Sequence, residues 1–212
     1  MSSASIYLLI FFAAFLHALW NIIIKSLNNS LVGIAYKVFF QSIIFTPIIF
    51  LVPLPEGITW FYLICSSLLH SLYFILIGIM YNRDDLTFIY PVARGCAPIF
   101  VTILSLIFLQ DVIPFFGIVG ILITSLALIL VSISNFNKKI NFKTIGISIF
   151  IAFIISIYAF SDGAGVRSAN NSATFIVWNF FLGGWISIGY VYLTDKQSLF
   201  KLKIKELLLI LC

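Results

Sequence analysis

Charged residues are scarce in this chain, and their scarcity excludes a water-facing protein surface. They make up only 9% of the 212 residues, whereas hydrophobic residues make up 62%. Soluble domains carry about 25% charged residues, because their surfaces must be solvated. The composition therefore predicts an integral membrane protein with the lipid bilayer as its surroundings.

Signatures of catalysis and of metal or cofactor binding are also lacking. The sequence has no H-E-x-x-H string and no phosphate-binding glycine loop, and its one pair of carboxylates, Asp84 and Asp85, falls at a predicted turn. Three cysteines form no C-x-x-C pair. The net charge of +5 comes from Lys and Arg placed mostly between apolar runs, where they act as topology signals. We therefore expect no enzyme, no cofactor, no metal and no nucleic-acid partner.

Long apolar runs dominate what is present. Seven have about the 20 residues that a membrane-spanning helix needs, and they predict an all-α polytopic membrane protein. An eighth run begins at Leu207–Cys212. The seven runs are Ala4–Ile24, Leu31–Val52, Ile58–Met80, Leu86–Leu109, Ile113–Ser134, Thr144–Phe160 and Ala173–Leu193.

An internal repeat organises these runs. Lys25–Ser30 (KSLNNS) reappears as Arg167–Ser172 (RSANNS) at an offset of 142, and Trp20 matches Tyr158 at an offset of 138. The difference between the two offsets implies four extra residues in the second copy, within Phe160–Arg167, where Gly163 and Gly165 would loosen the helix. We predict a first five-helix repeat over 1–137 and an incomplete second repeat over 141–212. An odd number of helices per copy makes the repeats inverted, as in many transporters.

The positions of Lys and Arg predict an orientation. Most lie in the first, third, fifth and seventh connections, whereas the even connections hold only Arg167. By the positive-inside rule the odd connections are cytoplasmic and the N-terminus is outside.

Polar residues within the apolar runs are the candidates for function. In the first run His17, Trp20, Asn21 and Lys25 share one helical stripe. This stripe indicates either a helix contact, with Lys25 reaching the interface, or a binding site. Lys37 lies near the start of the second run, which favours an interfacial side chain. Pro47, towards the end of the same run, predicts a kink in the helix.

His70 and Asp162 are candidates for coupling. His70 shares a face of the third run with Ser66 and Tyr73, and it is either a structural hydrogen-bonding residue or a proton carrier. In the sixth run Tyr158 and Asp162 are four residues apart, and Asp162 has Arg94 and Arg167 as candidate partners. A structural ion pair and a role in substrate or ion binding remain alternatives for Asp162, and Tyr158 is a candidate for substrate binding beside it. His17, His70 and Asp162 are the predicted proton or ion coupling residues.

Arg94 is the most unusual residue of the fourth run. It lies about 12 Å into the predicted helix at 1.5 Å per residue, close to the middle of a hydrocarbon core about 30 Å thick. Such a charge is costly unless it faces protein or water. Pro91 and Pro98 flank Arg94, and each frees an upstream carbonyl oxygen because proline lacks a backbone donor. Tyr90 shares the stripe of Arg94.

Three strings make the chain similar to a known family. HALWNIIIKS (17–26), DDLTFIYPVARGCAPIFVTILSLIF (84–108) and YAFSDGAGVRS (158–168) resemble EamA-type transporters of the drug/metabolite transporter superfamily. The resemblance implies ten helices in two inverted five-helix repeats, alternating access, and location in the bacterial inner membrane. It implies binding or structural roles for Trp20, Asn21, Tyr90, Pro91, Arg94, Pro98, Asp162 and Arg167.

The chain departs from the family pattern in three respects. Gln110-Asp111 stands where a glutamate is common, so Asp111 is the expected substitute. The last helices of a second repeat are not in this sequence, and family members are commonly drawn with the N-terminus inside. From the resemblance we expect a transporter of small metabolites or drugs. The alternative is a truncated inactive fragment or a membrane partner subunit, which as a genuine short form would complete its bundle as a homo-oligomer.

Overall fold

Seven helices long and apolar enough to cross a membrane account for most of the structure. The structure, a computed structural model, describes residues 3–81, 86–134, 142–201, 206–207 and 210. Within those residues it has helices and turns but no strand, so the predicted all-α class with seven spans is confirmed. The spanning helices are α1 (Ser3–Ser26), α2 (Ser30–Phe45), α3 (Ile58–Tyr81), α4 (Leu86–Leu104), α5 (Phe115–Ser134), α6 (Phe142–Ser168) and α7 (Ser172–Thr194), and a short α8 (Lys196–Leu199) follows.

Two of the predicted spans change geometry before they end. The second is α-helical only to Phe45, and a 3₁₀ turn over Ile48–Leu51 follows Pro47. This break fits a proline that cannot donate to the preceding turn. The fourth continues past Leu104 as a π-helical segment, Ser105–Leu109. That segment ends at Gln110, which has a φ of 52° and stops the helix.

The sixth span is longer than predicted, and the expectation that glycines loosen it is wrong. Helix α6 runs unbroken from Phe142 to Ser168 through Gly163 and Gly165. Gly165 lies against the ring of Phe175 in α7, and a Cβ at this glycine would overlap the ring. The glycine therefore allows close helix packing, as small residues commonly do in membranes.

Of the Leu207–Cys212 run, the structure describes only Leu207 and Ile210. The predicted turn that holds Asp84 and Asp85 also lies outside the described residues, as do several of the basic residues on which the orientation rests.

Helix α6 lies at the centre of the bundle. It packs against α3 and α4, while α2 packs along α7 and α5 packs along α4. The buried core between these helices includes Tyr73, Ile89, Ala93, Ile151 and Ile155. Helix α1 is the least covered span, because it packs mainly against α2 and most of its side chains are exposed.

Large apolar side chains cover the outside of the bundle. Phe116, Phe142 and Leu193 are each more than four-fifths exposed. A soluble protein rarely exposes continuous apolar surface, whereas lipid tails solvate it. The outer surface therefore fits a bilayer as its solvent.

Helices α2 and α7 begin with the same cap. The side chain of Asn29 accepts a hydrogen bond from the backbone N–H of Val32, and the side chain of Asn171 accepts one from Ala173. Asparagine is among the best N-cap residues, because its oxygen satisfies a free backbone donor of the first turn.

Asn29→Ala is expected to lower the free energy of unfolding by about 1 kcal/mol, because the substitution removes this acceptor. Reversible unfolding in mixed micelles measures the effect. Asn29→Asp is the matched control, since aspartate keeps the acceptor and should change stability little. Equal losses in both variants would show that the cap does not stabilise α2.

Candidate functional site

A cavity of about 170 Å³ lies inside the bundle where α1, α2, α3, α4 and α6 meet. His70 lies at the middle of its span, and Lys37 and Arg94 lie about a third of the way along theirs, so the cavity is well inside the length of the spanning helices. Polar and aromatic side chains line it: His17, Trp20, Lys37, His70, Tyr73, Phe74, Arg94 and Tyr158.

Arg94 lies among tyrosines on one wall of this cavity. Its Nη2 donates to the hydroxyl oxygen of Tyr73 at 3.3 Å. The centre of the guanidinium group lies 5.7 Å from the ring of Tyr73 and 5.5 Å from the ring of Tyr90. Such cation–π contacts stabilise a cation that has left water. Arg94 therefore faces the bundle interior rather than lipid.

Lys37 also faces the cavity, and its predicted interfacial position is wrong. The Nζ atom lies 5.1 Å from the ring centre of Trp20 and 5.6 Å from that of Phe74, and it donates to Gln41 Oε1 at 3.3 Å. These rings come from α1 and α3, so the neighbouring helices hold the side chain inside the bundle. Lys37 is thus a second cation of the cavity.

Neither cavity cation has a carboxylate partner among the described residues. Among the described residues Arg167 forms an ion pair with Asp111, and His70 lies 3.8 Å from Asp162, a contact that becomes an ion pair when His70 is protonated. Among the described residues, the contacts of Lys37 and Arg94 are with neutral oxygens and aromatic rings. The cavity therefore holds two basic side chains that no described carboxylate contacts.

Trp20 and His17 form the wall that α1 contributes. Trp20 Nε1 donates to His17 Nδ1 at 3.0 Å, and the hydroxyl group of Tyr90 lies 3.5 Å from His17 Nε2. Since Nδ1 accepts a hydrogen bond, neutral His17 carries its hydrogen on Nε2. The predicted residues Trp20, His17 and Tyr90 are thus neighbours, with Tyr90 just behind the cavity wall.

Asp162 pairs with neither of the arginines considered from the sequence. Its Oδ2 lies 3.8 Å from His70 Nε2, whereas Arg167 makes two hydrogen bonds to Asp111 at 2.8 and 3.1 Å. The packing of α6 on α3 brings Asp162 to His70. Arg167 lies at the exposed end of α6, where Asp111 is its partner.

The remaining predicted residues do not line the cavity. Asn21 Nδ2 donates to the carbonyl oxygen of His17 within α1, and Lys25 is exposed at the end of that helix. Pro91 and Pro98 lie within a continuous α4. Elsewhere on α4, the carbonyl oxygens of Phe88 and Ala97 accept hydrogen bonds from Ser132 of α5 and Ser156 of α6, so they hold α4 to these helices.

An apolar groove of about 440 Å³ continues from the cavity along α1 and α2. His17, Trp20 and Lys37 line both spaces, so the groove leads directly to the charged cavity. Its other walls include Leu16, Phe40 and Ile44.

Comparisons of the chain with protein-family models, with curated proteins and with solved structures found no match. The family resemblance rests on the sequence strings alone.

Sequence reasoning missed four residues of this region as functional candidates: Ser66, Tyr73, Phe74 and Asn179. Ser66 and Tyr73 carried a signal, since they share a face of α3 with His70. Asn179 also carried one, since it matches Lys37 at the repeat offset of 142. Phe74 carried none, because one phenylalanine in an apolar run looks like any other.

Proposed function

We propose that this chain is a multi-pass membrane transporter of small organic anions that bind in the central cavity. One observation carries the proposal: Lys37 and Arg94 face a common cavity without a carboxylate partner among the residues that the structure describes. Charged groups inside a membrane are costly, and they commonly mark a substrate pathway. An anionic substrate supplies the missing counter-charge.

The walls of the cavity favour an organic anion. Trp20, Tyr73, Phe74 and Tyr158 surround the two cations with aromatic surface. The volume of about 170 Å³ is below the roughly 300–1,000 Å³ of typical drug-sized sites. A small anion with an apolar body fits both the charge and the surface.

The position of the cavity supports the proposal of transport. The cavity lies well inside the length of the spanning helices, as the substrate sites of transporters do, and the groove along α1 connects it with the outside of the bundle. Among the described residues helix α1 has few neighbours, so its movement costs few of these packing contacts. We propose alternating access as the mechanism.

We further propose that the chain is an EamA-type transporter of the bacterial inner membrane, built from inverted repeats. Three pairs of residues at the repeat offsets support this organisation. Asn29 and Asn171 both cap helices. Trp20 and Tyr158 both line the cavity. Lys37 and Asn179 both turn a polar group towards the bundle interior.

Exchange across proteoliposomes tests the proposed function. Vesicles loaded with benzenesulfonate, benzoate, phenyl phosphate or succinate should take up the same labelled anion by exchange. Neutral benzenesulfonamide and cationic benzyltrimethylammonium should not exchange, because Lys37 and Arg94 repel cations and gain nothing from a neutral ring. Exchange of the cation, or of no anion in this panel, would contradict the proposal.

A further inference from the structure

A second polar cluster lies directly behind the cavity, between α3, α6 and α7. We name it the Asp162 cluster: Ser66, Ser67, His70, Asp162 and Asn179. The hydroxyl group of Ser66 donates to Asp162 Oδ1, and Asn179 Nδ2 donates to the same oxygen at 3.2 Å. Ser67 Oγ donates to Asn179 Oδ1 at 3.2 Å. Three helices therefore hold the carboxylate of Asp162 in place.

Asp162 differs from the other described carboxylates, because it alone among them faces the interior of the bundle. Asp111 pairs with exposed Arg167, Glu56 accepts from Asn170, Glu206 accepts from exposed Asn28 after the end of α1, and Asp195 caps α8. Asp162 lies about 9 Å inside the C-terminal end of α6 at 1.5 Å per residue. An ionisable side chain at such a depth is a functional candidate by default.

His70 joins the Asp162 cluster to the cavity. Its Nε2 lies 3.8 Å from Asp162 Oδ2, and its Nδ1 lies 3.1 Å from the hydroxyl group of Ser66. The same ring lines the cavity and stacks on Tyr158, with ring centres 3.9 Å apart. His70 thus has one side towards the carboxylate and the other towards the anion-binding space.

We propose that His70 and Asp162 bind one proton together, and that this proton is carried with the anion. The inference rests on the proposed anion transport. The pair takes up a proton from water, which converts neutral His70 and the Asp162 carboxylate into an imidazolium–carboxylate pair. The same proton returns to water on the opposite side of the membrane, so no other reactant is needed.

The sign of the coupling follows from the charges around His70. Asp162 favours protonation of the imidazole, whereas Lys37 and Arg94 oppose it. An anion in the cavity offsets these two cations, so it favours protonation of His70. Linkage is reciprocal, hence the proton also favours anion binding, and the two should move in the same direction. The titratable groups that face His70 from the helices packed around it are His17, Lys37, Tyr73, Arg94, Tyr158 and Asp162.

The geometry favours a proton over a sodium ion. Asp162 Oδ1 already accepts two hydrogen bonds, and Oδ2 faces a ring nitrogen of His70. Alkali and alkaline-earth cations prefer cages of oxygen ligands. A histidine ring nitrogen is a proton acceptor instead.

Proton movement during anion uptake tests the proposal. Benzenesulfonate is the probe, because it stays ionised and cannot carry a proton across the bilayer as a neutral acid. Its addition outside proteoliposomes that contain the pH dye pyranine should acidify the lumen. Asp162→Asn and His70→Gln should each lower the ratio of protons to benzenesulfonate moved by roughly tenfold or more. Asp162→Glu should restore part of that ratio.

Asp111→Asn is the matched control, since it removes a carboxylate from an exposed ion pair outside the Asp162 cluster and should keep the natural ratio. Benzenesulfonate exchange without acidification in the natural protein would overturn the coupling and leave the proposed function standing. Stimulation by a sodium gradient in place of a proton gradient would overturn it too. Absence of exchange would overturn both. If Asp162→Asn and His70→Gln transport less benzenesulfonate at an unchanged ratio of protons to benzenesulfonate, His70 and Asp162 bind substrate but do not couple it to protons.

Discussion

Arg94→Gln is expected to weaken the binding of benzenesulfonate to the purified protein by roughly 10- to 100-fold. A hydrogen bond to a charged group contributes about 1.5–3 kcal/mol, and each 1.4 kcal/mol or so changes a dissociation constant about tenfold. Glutamine keeps hydrogen-bonding capacity but removes the charge. Titration by isothermal calorimetry in detergent measures the change.

The matched control is Arg167→Gln, which makes the same substitution at the exposed end of α6. Arg167 pairs with Asp111 outside the cavity, so its loss should leave the affinity for benzenesulfonate unchanged. Arg94→Lys should show an intermediate loss, because an ammonium group keeps the charge but lacks the planar fork of the guanidinium group. Equal affinities of Arg94→Gln and the natural protein would refute an anion-binding role for Arg94.

Arg94→Gln should weaken the binding of benzenesulfonate but stabilise the ligand-free protein. Arg94 has no carboxylate partner among the described residues, and an isolated charge inside a protein carries a desolvation penalty. Arg94→Gln removes that charge and should raise the melting temperature of the ligand-free protein. Benzenesulfonate should stabilise the natural protein more than the variant. The stabilisation by a ligand grows with its affinity for the folded state, and the variant binds benzenesulfonate more weakly.

Gly184→Ala is expected to cost about 3 kcal/mol of folding free energy, at the upper end of the usual range for overpacking. Ser42 of α2 is inserted against α7, where it donates to the carbonyl oxygen of Phe180 at 3.0 Å and accepts from the N–H of Gly184 at 3.0 Å. A Cβ on Gly184 would overlap the carbonyl oxygen of Val38 and the Oγ of Ser42. Backbone atoms cannot turn away as a flexible side chain can, so α2 and α7 must separate.

The neighbouring glycine provides the control for this prediction. A Cβ on Gly183 would have no atom within 4 Å, and alanine is the better helix former by roughly 0.5–1 kcal/mol. Gly183→Ala should therefore leave stability unchanged or raise it, although the chemical change is the same. Unfolding in mixed micelles compares the two variants. Similar stabilities would show that α2 and α7 do not pack as closely as the structure indicates.

The spans were predictable because each depends on its own stretch of sequence. A run of about 20 apolar residues has no alternative to a helix in lipid, where every backbone polar group must find a partner within the segment. The ends were less predictable. Gly165 looked like a weak point of α6, yet the Phe175 ring beside it makes it a packing position.

The candidate site was predictable only in part. Residues whose position depends on side chains of other helices could not be placed from the sequence. Arg94 stood out from the sequence, because a charge in the middle of an apolar run is costly wherever it points. Lys37 did not stand out, because a lysine near the start of a spanning run can usually extend its ammonium group to the water interface. Only the rings of Trp20 and Phe74, from two other helices, place its Nζ in the cavity.

The sequence by itself determined that the chain forms seven helices long and apolar enough to span a membrane, with polar residues in their apolar runs. These properties are local, since hydropathy and helical spacing depend only on residues close together in the chain. The tertiary structure alone decided that Lys37 joins Arg94 and that Asp162 meets His70 rather than an arginine. Those contacts join residues from different helices, and the helix faces that meet are fixed by packing across the whole bundle.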